Sequence, residues 1–401
     1  MNTAAAHPAH APGMDVVTVI GDGQLARMMQ TAAIELGQSI RLLAGAEDSS
    51  AAQVCADVLI GDYTDYDDLL RAVEGASAVT FDHEHVPNEH LQALIDAGVN
   101  VQPVPSALVH AQDKLIMRTR LKEIGAPVPE FAEITSVDDA ARFYELVDGA
   151  VCLKARRGGY DGHGVWFPKS AEELQETVTD LLAKDVPLMA ERKLAFDREL
   201  SAMVARTPSG EVAPWPVVES VQSDGICVET IAPAPGLSPR LAGQAAEVAG
   251  QIATELGVTG DLAVELFQVG EEIFVNELAM RPHNTGHWTQ DGSTTSQFEQ
   301  HLRAVLDYPL GATDMTAPVT VMANTLGAAT NPEMPVMDRV RGVLRRFPHA
   351  KIHLYGKEYR AGRKLGHVNV SGRDVEATRR EAQLAAHYIT DAVWADGFIE
   401  S

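Results

Sequence analysis

The sequence predicts an α/β protein, α+β taken over its whole length, built as three units in series. Three observations carry that prediction. Strand-like and helix-like segments alternate over residues 15–112, longer alternating runs fill 199–278, and short strands among glycines follow residue 309. A chain of 401 residues suits this count, since a domain takes roughly 150 residues. Hydrophobic residues make up 45% and charged residues 22%, an ordinary globular balance. No apolar stretch reaches the ~20 residues of a membrane helix, so no membrane partner is expected.

In the first unit DVVTVI (15–20) reads as a short, buried, parallel strand. Gly21-Asp22-Gly23 makes the turn, residues 24–36 carry helical apolar spacing, and Gly37 is placed to stop that helix. SIRLL, ADVLIG and SAVTFD supply the second, third and fourth strands. The pattern changes after Gln112. Short strands around helices, with a glycine-dense loop among them, occupy residues 125–191. ELSAMVAR, EVAPWPVV, DLAVELFQV and EIFVNEL then read as an antiparallel sheet. Beyond Pro309, APVTVMANTLG, KIHLYG and HVNVSG precede a final amphipathic helix. The expected units are therefore 15–112, 113–309 with a lid over 126–190, and a β-rich 310–401.

Residues 1–14 hold no Lys, no Arg and no apolar core, which argues against a secretory signal and for a disordered tail. Cys55, Cys152 and Cys227 are odd in number and widely spaced, so neither a disulfide framework nor a CxxC metal site is expected. That points to a reducing, cytoplasmic setting. A formal charge of −24 excludes a nucleic-acid binder that relies on a basic face. Anionic substrates must be met by basic residues placed locally against the global field.

Two glycine loops and one pair of acids supply those places. Residues 21–26 fit GxGxxA between a strand and a helix, a context that can hold a phosphate on helix N–H groups. A nicotinamide site, another phosphate ligand and a merely tight turn all remain open for this loop. CLKARRGGYDGHGVWF (152–167) sets four glycines between strands, behind Lys154, Arg156 and Arg157. An N–H-rich loop beside a lysine suits a polyphosphate. In residues 261–278 the turn falls near 269–272, leaving Glu265 and Glu277 as direct or diagonal cross-strand neighbours. Like charges so placed call for a neutralising ion. Magnesium, which takes one or two carboxylates plus phosphate oxygens, is the natural one. Arg281, His283, Asn284 and His287 follow at once, and Lys357, Arg360, Arg363 and Lys364 cluster among glycines further on.

Taken together, GQLARMM (23–29), GGYDGHG (158–164), NELAMRPHNTGHWT (276–289) and GRKLGHVNV (362–370) resemble the ATP-grasp superfamily. Within it, HNTGHWT with GRKLGH is similar to the carboxyaminoimidazole ribonucleotide synthetase family. The resemblance implies an ATP-grasp fold: a Rossmann-like N-terminal domain, a lid with a central antiparallel sheet, and a small β-rich C-terminal domain. It implies a ligase that uses ATP, Mg²⁺ and bicarbonate to carboxylate the exocyclic amine of 5-aminoimidazole ribonucleotide through carboxyphosphate, in purine biosynthesis. It also implies a homodimer.

Carried over by motif position, ATP would be held by Lys114, Lys154 and the loop Gly159, Tyr160, Asp161, Gly162, His163, Gly164 and Val165. Glu191, Arg192, Lys193 and Leu194 would form the hinge at adenine, Glu199 would take the ribose, and Gln222 would stand at the nucleotide. Glu265 and Glu277 would hold the metal, with Asn276 alongside. The ribonucleotide would meet Gln24, Leu25, Glu84, Asn284, Lys357, Arg363 and Lys364. Tyr160, Asp161, Arg281 and Lys364 would act at the reacting atoms. Gln222, His163, Val165, Met280 and the pair Asp82-His83 depart from the family's usual residues. Of these His163 matters most, because neutral imidazole is a weaker phosphate partner than Arg. The competing readings are an ATP-grasp ligase or transformylase on glycinamide ribonucleotide, a nicotinamide dehydrogenase, and a non-catalytic nucleotide binder.

Overall fold

The computed structural model describes residues 9–158, 164–223 and 225–399. Its first unit is a four-stranded parallel sheet in the order Asp57–Ile60, Ser39–Ala44, Val16–Ile20, Ala78–Phe81. Val17, Val19, Leu42 and Val79 are fully buried in it, as the unbroken apolar runs of a two-sided parallel sheet require. The helix Gln24–Glu35 follows the first strand, and Gly37 stops it at φ +70°. Gly21 adopts φ +114°, and a Cβ there would overlap the Asp82 carboxylate. That close approach is why the first loop needs glycine.

The tail expected over residues 1–14 is corrected for its described part. His10 Nε2 lies 2.6 Å from Asp57 Oδ2, and the Ala11 N–H donates to Ser39 Oγ at 3.0 Å. Polar groups at the ends of two strands thus give His10 and Ala11 specific partners, and the chain is docked there.

A four-stranded antiparallel sheet, in the order Phe131–Ile134, Leu188–Arg192, Val151–Ala155, Val165–Trp166, forms a second unit. The helices Val137–Leu146 and Ala171–Leu182 share its core through Phe143, Val147, Leu174 and Val178. Each helix opens on a serine, Ser136 or Ser170, whose hydroxyl accepts the N–H three residues on.

The remaining strands build one nine-stranded antiparallel sheet. Its path runs Glu272–Ala279, Gly260–Val269, Arg198–Arg206, Val218–Ser223, Ile226–Ala232, Val319–Leu326, Lys364–Gly372, Lys351–Leu354, with Val212–Pro214 beside Arg198–Arg206. The β-rich C-terminal unit is therefore not a separate sheet: Val319–Leu326 pairs with Ile226–Ala232. The unpaired edge of the central sheet is covered by it. The helix Val375–Asp391 seals that end through Ala382, Ala385, Tyr388 and Ile389 against Val321, Val368 and Val370. On the central strands the helix Pro239–Glu255 packs Leu241, Ala245 and Ile252 against Leu200, Val204, Leu262 and Val264.

Among the described residues no helix is long and apolar enough to cross a membrane. The three thiols are free.

Candidate active site

A cavity of about 990 Å³ opens where the parallel sheet, the four-stranded antiparallel sheet and the nine-stranded sheet meet. The central hairpin supplies its acids. Gly260–Val269 and Glu272–Ala279 are joined across Gly270, which takes φ +56°, and Glu265 stands directly opposite Glu277. A register shift follows at Glu265/Leu266. Such a bulge is a common way to re-aim a side chain beside a site.

The electrostatics of this pair are unbalanced. Burial first, then the Glu277 charge and that of Glu199, push the Glu265 carboxyl up to about 8. Glu277 is met by Lys114, whose Nζ lies 2.6 Å from Glu277 Oε1. Glu199 is pushed up to about 7 by burial, against the pull of Lys154. His283 Nε2 lies 3.4 Å from Glu265 Oε1. Burial, with Arg281 and Lys364 nearby, drives His283 down to about 3, so its ring is neutral.

On the side of the four-stranded antiparallel sheet, Lys154 pairs with Glu191 and lies 3.4 Å from Asn276 Oδ1. Arg118 binds the other Glu191 oxygen at 2.9 Å and donates to the Asn276 carbonyl at 2.7 Å. Burial opposes ionisation of Glu191, but Arg118 and then Lys154 outweigh it and hold the carboxyl at about 2. Asp113 caps the helix Lys114–Glu123 and gathers Arg156 and Arg157, at 3.0 and 3.1 Å, beside the glycine loop. On the opposite wall Arg281 Nε lies 2.9 Å from Glu84 Oε2, tying the hairpin's continuation to the first unit.

Of the residues expected at the site, Glu84, Lys114, Lys154, Val165, Glu191, Arg192, Lys193, Leu194, Glu199 and Gln222 line this cavity. So do Glu265, Asn276, Glu277, Arg281, Asn284 and Lys364. Gly159, Tyr160, Asp161, Gly162 and His163 lie outside the described residues, and the neighbouring Gly164 takes φ +75°.

Gln24, Leu25, Lys357 and Arg363 gather elsewhere, at the first glycine loop. Lys357 Nζ bonds Gln24 Oε1, and burial followed by Arg363 brings the Lys357 ammonium down to about 8. The Leu25 side chain is packed in the core, so only its backbone can face a ligand. The Gly23 N–H donates to Asp82 Oδ2 at 2.5 Å. Burial, opposed by that N–H, raises Asp82 to about 7. One helix-terminal donor of the loop is thus already used within the chain.

Known proteins match this arrangement along the chain. Family models match residues 14–112 (ribonucleotide synthetase preATP-grasp domain), 119–298 (ATP-grasp domain) and 320–381 (phosphoribosylaminoimidazole carboxylase C-terminal domain). The N5-carboxyaminoimidazole ribonucleotide synthase of Corynebacterium ammoniagenes is 65% identical, over 97% of this chain and 95% of that protein. This chain belongs to the N5-carboxyaminoimidazole ribonucleotide synthase family. The crystal structure of the Thermus thermophilus synthetase superposes with a TM-score of 0.84 at 35% identity, covering 94% of this chain and 99% of that one. The Aspergillus clavatus synthase in complex with ADP and 5-aminoimidazole ribonucleotide matches with a TM-score of 0.84 at 29% identity, over the same shares of the two chains.

Against the family frame, some site residues had no signal in the sequence. Arg118 is an ordinary helix residue until the fold buries it against Glu191. Phe196 and Phe267 stack at 4.5 Å between centroids, 11° from parallel, in the cavity wall, and Lys193 Nζ sits 5.0 Å over the Phe167 ring. Phe167 and Phe196 are exposed only in the folded chain, so the sequence carried no clue to them.

Proposed function

We propose that this chain carboxylates the exocyclic amine of 5-aminoimidazole ribonucleotide, using ATP and bicarbonate. The carrying observation is the pair of facing carboxylates, Glu265 and Glu277, in a cavity also lined by Lys114, Lys154, Arg281 and Lys364. A cavity of both signs suits a polyanion and its counter-ion. The names of the relatives supply the substrate.

In this reading a bicarbonate oxygen attacks the γ-phosphorus of ATP. The bond to the β–γ bridging oxygen breaks, and ADP and carboxyphosphate form. The amine then attacks either the carboxyl carbon of carboxyphosphate, expelling phosphate, or the CO₂ released when carboxyphosphate loses phosphate, and the amine loses a proton. Such transfer needs positioning and charge neutralisation more than a strong base. Lys114 and Lys154 meet phosphate oxygens, and Arg281, oriented by Glu84, faces the reacting acid with Lys364. Glu191 to Leu194 form the adenine edge beside Phe196 and Phe267, and Glu199 takes the ribose. Gln24, Lys357 and Arg363 receive the anionic end of the ribonucleotide. Tyr160 and Asp161 act beside the reacting atoms. Enclosure matters because carboxyphosphate is lost to water in an open site.

The donors fit magnesium, a hard ion that takes oxygen ligands and leaves places for phosphate. Among the described residues no cluster of three or more His, Cys, Asp or Glu side chains forms a metal site. Glu265 and Glu277 would hold the ion with Asn276 alongside, which accounts for two carboxylates facing each other. When bound, it neutralises charge on the phosphates. The working units are 15–112, 113–309 with its lid, and 310–401. The free thiols suit the cytoplasm. Exposed Ile34, and Ile60 on an edge strand, offer apolar surface for a second copy in a homodimer.

The test is ADP release with ATP, Mg²⁺ and bicarbonate, with and without the ribonucleotide. Strong stimulation by 5-aminoimidazole ribonucleotide is expected, with loss of more than about 100-fold in Glu277→Gln. Stimulation by glycinamide ribonucleotide alone would refute the substrate, and absence of turnover with either amine would refute the enzyme.

A further inference from the structure

His283 enters the cavity as the N-terminal cap of a short 3-10 turn, Asn284–Gly286. Its ring faces two ways. Nε2 looks toward Glu265 Oε1 at 3.4 Å. Nδ1 looks back into the protein, 2.8 Å from Thr285 Oγ1 and 3.5 Å from the Thr285 backbone N. A backbone N–H only donates, so the nitrogen facing it is the accepting, unprotonated one. The Thr285 hydroxyl can give its hydrogen to the same nitrogen, a nearer and stronger acceptor than Met203 Sδ at 3.9 Å, while Ser201 Oγ, 2.8 Å from Thr285 Oγ1, is placed to donate to it from behind. Ser201 and Thr285 are both fully buried, so no water competes for these bonds.

The turn beneath the ring is clamped as well. Gln297, also fully buried, accepts from the His283 N–H at 2.8 Å and donates to the His283 carbonyl at 3.0 Å. A Cβ on Gly286 would overlap this amide, which is why a glycine closes the turn. With backbone and Nδ1 both engaged, the ring has one free direction, and the atom pointing along it is Nε2.

We infer that Thr285 is a positioning residue which, with Ser201 behind it, holds His283 as the neutral tautomer carrying its hydrogen on Nε2. The ring then presents one donor to an anionic oxygen lodged between Glu265, Arg281 and Lys364. This rests on the proposed reading that the reacting acid occupies that place. The opposite tautomer would turn a lone pair toward the same oxygen and repel it. The tautomer is set by the bond at the ring's other nitrogen, as for histidines that ligate metals.

The experiment is ¹⁵N NMR of the histidine side chains in the substrate-free protein, with His283 identified by the signals lost in His283→Asn. The expected spectrum shows a protonated Nε2 and an unprotonated, hydrogen-bonded Nδ1. Thr285→Val keeps the shape and removes the hydroxyl. It should shift the His283 signals toward a mixture of tautomers and lower kcat by roughly 10-fold, with KM for ATP unchanged. Thr285→Ser should restore the spectrum and recover kcat to within about 3-fold. A wild-type ring protonated on Nδ1, or a valine variant with an unaltered spectrum, would overturn the inference. The wild-type spectrum decides the matter even where the valine variant fails to fold. Because it is read without substrate, failure of the carboxylation assay beside the expected spectrum counts against the proposed function alone.

Discussion

Replacing Arg118 by Met tests whether the cavity wall proposed to face the nucleotide is held by a buried ion network. Arg118 and Glu191 have 1% and 4% of their side-chain surface exposed, and the guanidinium reaches Glu191 Oε2 through Nε at 3.0 Å and Nη2 at 2.9 Å. The variant keeps the apolar stem and leaves Glu191 with Lys154 alone. The carboxyl is held at about 2 against a usual 4.5. At ~1.4 kcal/mol per unit this is on the order of 3 kcal/mol. Removing one partner of a buried pair costs about 3–5 kcal/mol, the same order. Lys154 retains part of the interaction, so the lower end, about 3 kcal/mol, is expected. The sign follows from a depressed carboxylate. Its contribution is full above 4.5 and lost as pH falls through about 2. Urea unfolding should therefore separate variant from wild type at pH 7 and bring them together as the solution is acidified toward pH 2. Since Glu191 also lines the cavity, KM for ATP should rise by on the order of 10-fold, about 1.4 kcal/mol of binding. A variant within about 1 kcal/mol of wild type at pH 7, with unchanged KM, would refute the reasoning.

Two further outcomes follow from the same electrostatics and packing. Glu265, raised from 4.5 to about 8 by burial and then by Glu277, contributes stability while protonated, and this is lost as pH rises through about 8. Mg²⁺ should therefore raise the thermal midpoint more at pH 8.5 than at pH 6, and Glu265→Gln should abolish the difference; equal shifts in the wild type would reject the metal assignment. At the first loop, Gly21→Ala adds a Cβ that overlaps Asp82 at a φ of +114°. A loss of about 2 kcal/mol or more is expected in thermal unfolding, of which Asp82→Ala in the same chain recovers only the part due to the clash.

Local chemistry determined much of this protein from its sequence. Apolar runs closed by Gly21 and Gly37 marked the first strand and helix, because strand and helix periodicities and left-handed glycines are properties of a few neighbouring residues. That Glu265 and Glu277 are neighbours was legible for the same reason. A short turn at Gly270 fixes the register of the hairpin and leaves the two acids direct or diagonal neighbours, while the bulge at Glu265/Leu266, which skips Asn276, is what sets them directly opposite. Partners far apart in the chain were decided only by tertiary structure. Arg118 and Glu191 are 73 residues apart, Ser201 and Thr285 84, and Gln24 and Lys357 333, so nothing in either segment announces the other. The C-terminal strands were each recognisable, but a strand's own pattern says which face is apolar and not which edge it will join. Val319–Leu326 is added to the central sheet because the free N–H and C=O groups of Ile226–Ala232 must be paired once that edge is buried. The docking of His10 and Ala11 has the same cause: Asp57 and Ser39 lie within reach only after two strands have been laid side by side.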